Sequence, residues 1–282
     1  MAGVALTTQS AKADLWAAGD VIMGFQKTGT DAAIVVNIGN FQLYRDATSS
    51  FTINAGGLGL DSLLSTTLGS GWKNDASVYW GVAAAWTNKP FTGLGSVSPL
   101  NGDPARTFYV TRPESTIGTQ GSPYTIVSST SQANIAANIF GVEGSFKTLT
   151  ADGTLTGALA GKGAVETPST LIGDWTEYNS PTVPVNSWQD LPFTMGNFGN
   201  GTSGVQLDFF RQLSTNTGAS PSGTALQGSY EGSFTINDSA AVTFNIAPVP
   251  VPEPATYGAL AGLGLSGLAF GNALRRRKKI AA

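Results

Sequence analysis

The sequence predicts an all-β fold: an antiparallel β-sandwich of jelly-roll type with one or two short helices, followed by a single C-terminal transmembrane helix. Three observations carry this expectation. Strand-length segments alternate apolar and polar residues with a period of two along much of the chain. Glycine reaches 36 residues while only 12 % of the chain is charged, a profile that suits a β-protein with many turns. Residues 257–274, from Tyr257 to Leu274, carry no charge and are followed by five cations.

The strands are read in order. Val21, Met23 and Phe25 alternate with Ile22, Gly24 and Gln26; Thr28-Gly29-Thr30-Asp31 then reads as a turn into the run Ala33-Ile34-Val35-Val36-Asn37-Ile38. Phe51 and Ile53 begin a further strand. Val78, Trp80 and Val82 turn one large face inward, and Phe108 with Val110 repeats the pattern. Val205, Leu207 and Phe209 follow the same rule. Tyr230, Phe234 and Ile236 lead through Asn237-Asp238-Ser239-Ala240 to Val242, Phe244 and Ile246, the clearest hairpin of the chain. Two segments are helical instead. Leu60, Leu63, Leu64 and Leu68 form one stripe at i, i+3, i+4 and i+8, and Ser131 is placed to cap a weaker helix carrying Ile135 and Ile139. Residues 148–204 are rich in Gly, Thr, Asn and Pro and read as long loops with a few short strands. Two packed sheets are the economical arrangement, although a barrel uses the same strands.

Composition narrows function more than any motif in this region. With no Cys, the fold cannot rest on disulfides, and thiol nucleophiles and thiolate metal sites are absent. With no His, the usual proton shuttle and zinc ligand are missing. No cofactor and no metal site is expected. Leaving out the five terminal cations, 10 basic residues face 18 acidic ones, about −8. Such a surface repels nucleic acid.

Several side chains are nevertheless weighed as sites. A Ser-Lys dyad has Lys73, Lys89, Lys147 and Lys162 available, each better read as a solvated lysine. Glu114, Glu143, Glu166, Glu177 and Glu231 supply the acids that a carboxylate-dependent glycosidase needs, but scattered acids on a β-protein usually only solvate it. Trp175 and Trp188 sit in polar loop sequence and are the candidate carbohydrate contacts, with a polysaccharide-binding module of a biofilm matrix as the alternative reading. The competing reading is that these rings pin their loops to the body. Asn237-Asp238 suits a calcium-binding turn in residue type, but turn closure by local hydrogen bonds is favoured. The catalytic reading is therefore none.

The ends are organised differently. Residues 1–13 read as the remnant of a signal peptide, with Ala11-Lys12-Ala13 as a small-x-small cleavage site, and residues 14–247 form the β-rich domain. Residues 248–282 divide into a motif at 251–256, an uncharged span at 257–274 and a basic block at 275–279. The span makes a helix of about 27 Å, close to the hydrocarbon thickness of a bilayer. Arg275, Arg276, Arg277, Lys278 and Lys279 hold its end on the cytoplasmic side.

Val251-Pro252-Glu253-Pro254-Ala255-Thr256, the apolar span and the cation block together resemble the PEP-CTERM sorting signal of Gram-negative bacteria. The resemblance implies that an exosortase, a membrane protease, recognises Pro252, Glu253 and Pro254 with the helix and basic tail and cleaves nearby. With the basic block held inside, the expected route is an inner-membrane intermediate with its C-terminus in the cytoplasm, then the cell surface or extracellular matrix; exopolysaccharide is a partner under the alternative reading of Trp175 and Trp188. Asp20-Val21-Ile22-Met23-Gly24-Phe25 with Val35-Val36-Asn37-Ile38-Gly39-Asn40 also resembles the opening hairpin of a recurrent group of such proteins. Trp80-Gly81-Val82, Phe108-Tyr109-Val110-Thr111-Arg112 and Leu207-Asp208-Phe209-Phe210-Arg211 are similar to the same group, which implies architecture and export only.

Overall fold

The computed structural model describes residues 16–17, 19–30, 32–54, 57, 59–86, 102–104, 106–113, 120, 124, 129–149, 151–166, 175–178, 191, 195–200, 206–213 and 228–246. The chain divides into two units, Met1–Ala247 and Pro248–Ala282, and every described residue belongs to the first.

Strands β1 (Asp20–Lys27) and β2 (Ala33–Asn40) form the expected hairpin, with Phe25 opposite Ile34. Gly29 supplies the positive φ of +81° that the turn requires. β3 (Phe51–Thr52), β4 (Val78–Ala85) and β5 (Phe108–Pro113) follow, then β6 (Gly163–Glu166), β7 (Gly196–Asn197) and β8 (Gln206–Gln212). β9 (Ser229–Ile236) and β10 (Val242–Asn245) make the second expected hairpin, Phe234 opposite Phe244. All ten join one sheet in the order β3-β10-β9-β8-β5-β4-β1-β2-β6, with β7 set against β4, and the sheet curls into a half-barrel.

The fold is thus mostly antiparallel β, but its strands form one hydrogen-bonded sheet where two packed sheets were expected. Helices supply the layers that a second sheet would have provided. On one face, α1 (Gln42–Arg45) and α2 (Leu60–Leu68) press Tyr44, Leu60, Leu63, Leu64 and Leu68 against Val21, Met23, Phe25, Trp80, Phe209, Phe234 and Phe244. The ring of Tyr44 meets Phe51, Phe209, Phe234 and Phe244 at centroid distances of 5.0 to 6.0 Å, and its hydroxyl donates to the carbonyl of Ile38 at 2.5 Å. Edge-on and tilted contacts of this kind suit the aromatic quadrupole. On the other face, α3 (Ser129–Phe146) covers Ile22, Val35, Ala83, Phe108 and Val110 with Ile135, Ile139, Val142 and Phe146. Because both faces are covered, β1 buries six consecutive residues and shows no simple alternation of exposure.

The α2 stripe is as expected, with all four leucines buried. Helix α3 is longer than expected, 18 residues, and starts two residues before Ser131. Its apolar stripe continues past Ile139 to Val142 and Phe146, while Asn and Ser on its other sides dilute the periodic signal. The sheet edges are blunted. β3 has two residues and β6 four, too short to template pairing with another chain. No helix among the described residues is long and apolar enough to cross a membrane; the expected span at 257–274 lies outside them, as does the segment 1–13.

Candidate functional site

Several charged side chains of the described domain meet around one buried carboxylate. Asp103 stands in the segment leading to β5 and is fully buried. Its Oδ2 accepts from the hydroxyl of Tyr109 at 2.5 Å, and its Oδ1 faces Arg45 Nη1 at 3.2 Å and Arg211 Nη2. Arg45 also grips Asp46 with two donors, Nε at 2.7 Å and Nη2 at 2.8 Å, and lies over the ring of Phe41. The contact with Asp46, first among its causes, raises the affinity of Arg45 for its proton and lowers that of Asp46. Burial, then the bond to Asp103, keeps the Tyr109 phenol protonated as a donor. Nearby, burial pushes the carboxyl of Glu231 up. Two guanidinium groups thus meet two carboxylates, and Asp103 has three donors on two oxygens. A carboxylate held this way is a fastener joining the segment before β5 to α1 and β8.

The candidate acids are dispersed. Glu143 on α3 and Glu166 on β6 are both fully buried, Glu143 accepting from the backbone N–H of Ala85 at 3.1 Å and Glu166 from that of Trp175 at 2.9 Å. Glu231 bonds to Ser229 on β9. Glu114 and the side chain of Glu177 lie outside the described residues. Of the lysines, Lys73 donates to the carbonyl of Asp238 and stands 3.8 Å from Asp61; Lys89 lies outside the described residues.

Trp175 corrects the sequence reading. It was a candidate carbohydrate contact, but its ring is fully buried against β1, so it offers no face to a sugar. The loop aromatic pins α4 (Trp175–Tyr178) to the sheet. Gly24 makes room for it: a Cβ there would lie 2.1 Å from Trp175 Cε2. Gly24→Val is therefore expected to lower stability by about 3 kcal/mol or more, the upper range for overpacking. Urea denaturation read by tryptophan fluorescence checks this, and an unchanged midpoint refutes it. Trp188 lies outside the described residues. Among the described residues the large hydrophobic side chain that is mostly exposed is Leu43, while Trp86 is half-buried.

A shallow depression is lined by Asp61, Lys73, Ile236, Asn237, Asp238 and Ser239. Asn237 Oδ1 accepts from Ser239 N, Ser239 Oγ and Ala241 N at 2.9 to 3.0 Å, closing the β9–β10 turn. Local turn closure therefore accounts for the Asn237-Asp238 pair. No group of three or more acids among the described residues is arranged to hold a metal ion.

Sequence reasoning missed the Asp103 junction because Arg45, Asp103 and Arg211 are far apart in the chain, and the pairing of β5 with β8, which sets Tyr109 opposite Arg211, is needed to bring them together. The one usable signal was Arg211, a cation inside a strand of apolar phase. The sorting residues Pro252, Glu253 and Pro254, the span and Arg275 to Lys279 lie outside the described residues. Residues 250–278 match the family model of the PEP-CTERM protein-sorting motif. No curated protein and no solved structure matches the chain.

Proposed function

We propose that the chain is an exported cell-envelope or extracellular-matrix protein, sorted by an exosortase through its C-terminal signal, with a β domain that is structural, non-enzymatic cargo. The match at residues 250–278 carries this reading. The chemistry of the tail supports it. Pro252 and Pro254 disfavour helix in the residues before them and keep the motif extended, the backbone form that a protease engages. Glu253 adds one charge for recognition. The span from Tyr257 to Leu274 enters lipid, while Arg275, Arg276, Arg277, Lys278 and Lys279 resist transfer, each costing roughly 2.5 to 3.5 kcal/mol at a helix centre. The intermediate is anchored in the inner membrane with its C-terminus in the cytoplasm.

The domain suits the role of cargo. Both faces of its sheet are covered and both edges are short. Its candidate acids are buried or hydrogen-bonded where they are described, Lys147 and Lys162 are exposed on the surface, and the ring of Trp175 is buried.

Topology is the direct test. With one C-terminal reporter active only in the cytoplasm and another active only in the periplasm, the cytoplasmic reporter is expected to respond. Signal from the periplasmic reporter, or a full-length chain wholly in the soluble fraction, overturns the proposal.

A further inference from the structure

The residues that dock α3 repeat with alternating spacings of four and three: Gln132, Ala136, Ile139, Glu143 and Phe146, all buried. That is the spacing of a packing seam, and a carboxyl occupies one of its positions. Glu143 is the one charged residue of α3. Its Oε1 accepts from Ala85 N at 3.1 Å, while its Oε2 is buried without a hydrogen-bond partner.

We propose that α3 is a proton-held latch: it docks on the sheet with Glu143 neutral and releases when Glu143 ionises, uncovering the second apolar face of the sheet. As a neutral acid, Glu143 keeps the bond to Ala85 and adds no charge to an apolar seam. As a carboxylate in the same place it has one hydrogen bond and no cation, and burying an unpaired charge costs several kcal/mol.

The groups around it do not offset this. Asp20 at the start of β1 adds repulsion. Glu166 on β6 is a second buried carboxyl on the same face. Neither β2 nor β4 contributes a charged residue. Arg106 is joined through its backbone to Trp86 and Gln132, its Nη1 buried without a hydrogen-bond partner, and its charge is not among those acting on Glu143; Arg112 of β5 lies over the ring of Tyr124. Burial, and after it the charge of Asp20, shifts the Glu143 carboxyl upward, opposed by the bond to Ala85.

The sign follows from linkage. Docked Glu143 holds its proton above the ordinary glutamate value of about 4.3, whereas released Glu143 loses it there. Docking is therefore strongest below that pH. It weakens as pH rises, by up to about tenfold per pH unit, until the docked form also ionises.

Hydrogen exchange on the full chain, expressed as protection factors between pH 5 and 9, tests the latch. Protection over Ile135 to Phe146 is expected to fall by at least about tenfold while the β9–β10 hairpin holds its own. Glu143→Gln is expected to abolish the fall; if that variant does not fold, Glu143→Leu replaces it. Protection in α3 that is independent of pH, a fall shared equally by the hairpin, or the same fall in the neutral variant overturns the proposal.

Discussion

Asp103→Ala is expected to destabilise the β domain by about 3–5 kcal/mol, the range for removing one partner of a buried ion pair. The reason lies in what remains. Arg211 and Arg45 lose their shared carboxylate, and the Tyr109 hydroxyl loses its acceptor. Each stranded donor is costly, because these groups sit at the seam of α1, β5 and β8 where water does not easily replace the lost bond. At roughly 2–4 °C per kcal/mol for a domain of this size, the melting temperature is expected to fall by about 10 °C. Asp103→Asn retains an acceptor for one donor and is expected to lose less. Thermal unfolding followed by circular dichroism reads both variants, and a change under about 1 kcal/mol for the alanine variant would falsify the role of Asp103 as a fastener.

Glu253→Ala is expected to leave membrane insertion intact and to abolish C-terminal processing in a host with a matching exosortase. Insertion depends on the apolar span and the cation block, and the substitution changes neither. In the proposed function, recognition of the motif uses the one charge between the two prolines. Unprocessed chain should therefore accumulate in the membrane fraction, with an intact mass that retains the residues from Pro252 onward. Normal release of a shortened product counts against the sorting assignment. Neutralising all five cations from Arg275 to Lys279 separates the two steps, since it disturbs topology while leaving the motif whole.

The sequence made the hairpins legible because their signal is local. Val21 to Ile38 and Tyr230 to Ile246 carry strand-length apolar patterns on both sides of a turn, and each pair forms in the expected place. The leucine stripe of α2 was legible for the same reason. What escaped was the layering. Periodicity says that a strand has an apolar face; it does not say whether a sheet or a helix will cover it, and here helices α1, α2 and α3 do so. Trp175 shows the same limit. Its polar neighbours suggested an exposed loop, yet Gly24 on a distant strand provides the space that buries the ring. The sorting signal was the most legible part, because it is contiguous.

The pairing of β3 with β10 sets the order in which the domain can be completed. Phe51 lies opposite Phe244, and the buried side chain of Asn54 accepts from Val242 N, 188 positions along the chain. Contacts this remote require a long stretch of chain to be ordered before they form, which makes them slow. Until β10 arrives, Tyr44 lacks Phe244 and the aromatic box stays open. In the proposed export route the chain crosses the membrane N-terminus first, so the box closes only once nearly the whole domain is across. The strand that completes it is followed, within a few residues, by the motif at Pro252 and by the span that, in the proposed route, retains the chain. Closure of the domain and arrival of its retention signal thus fall at the same stage of transport, and a chain cut short before β10 would lose both its last strand and its retention signal.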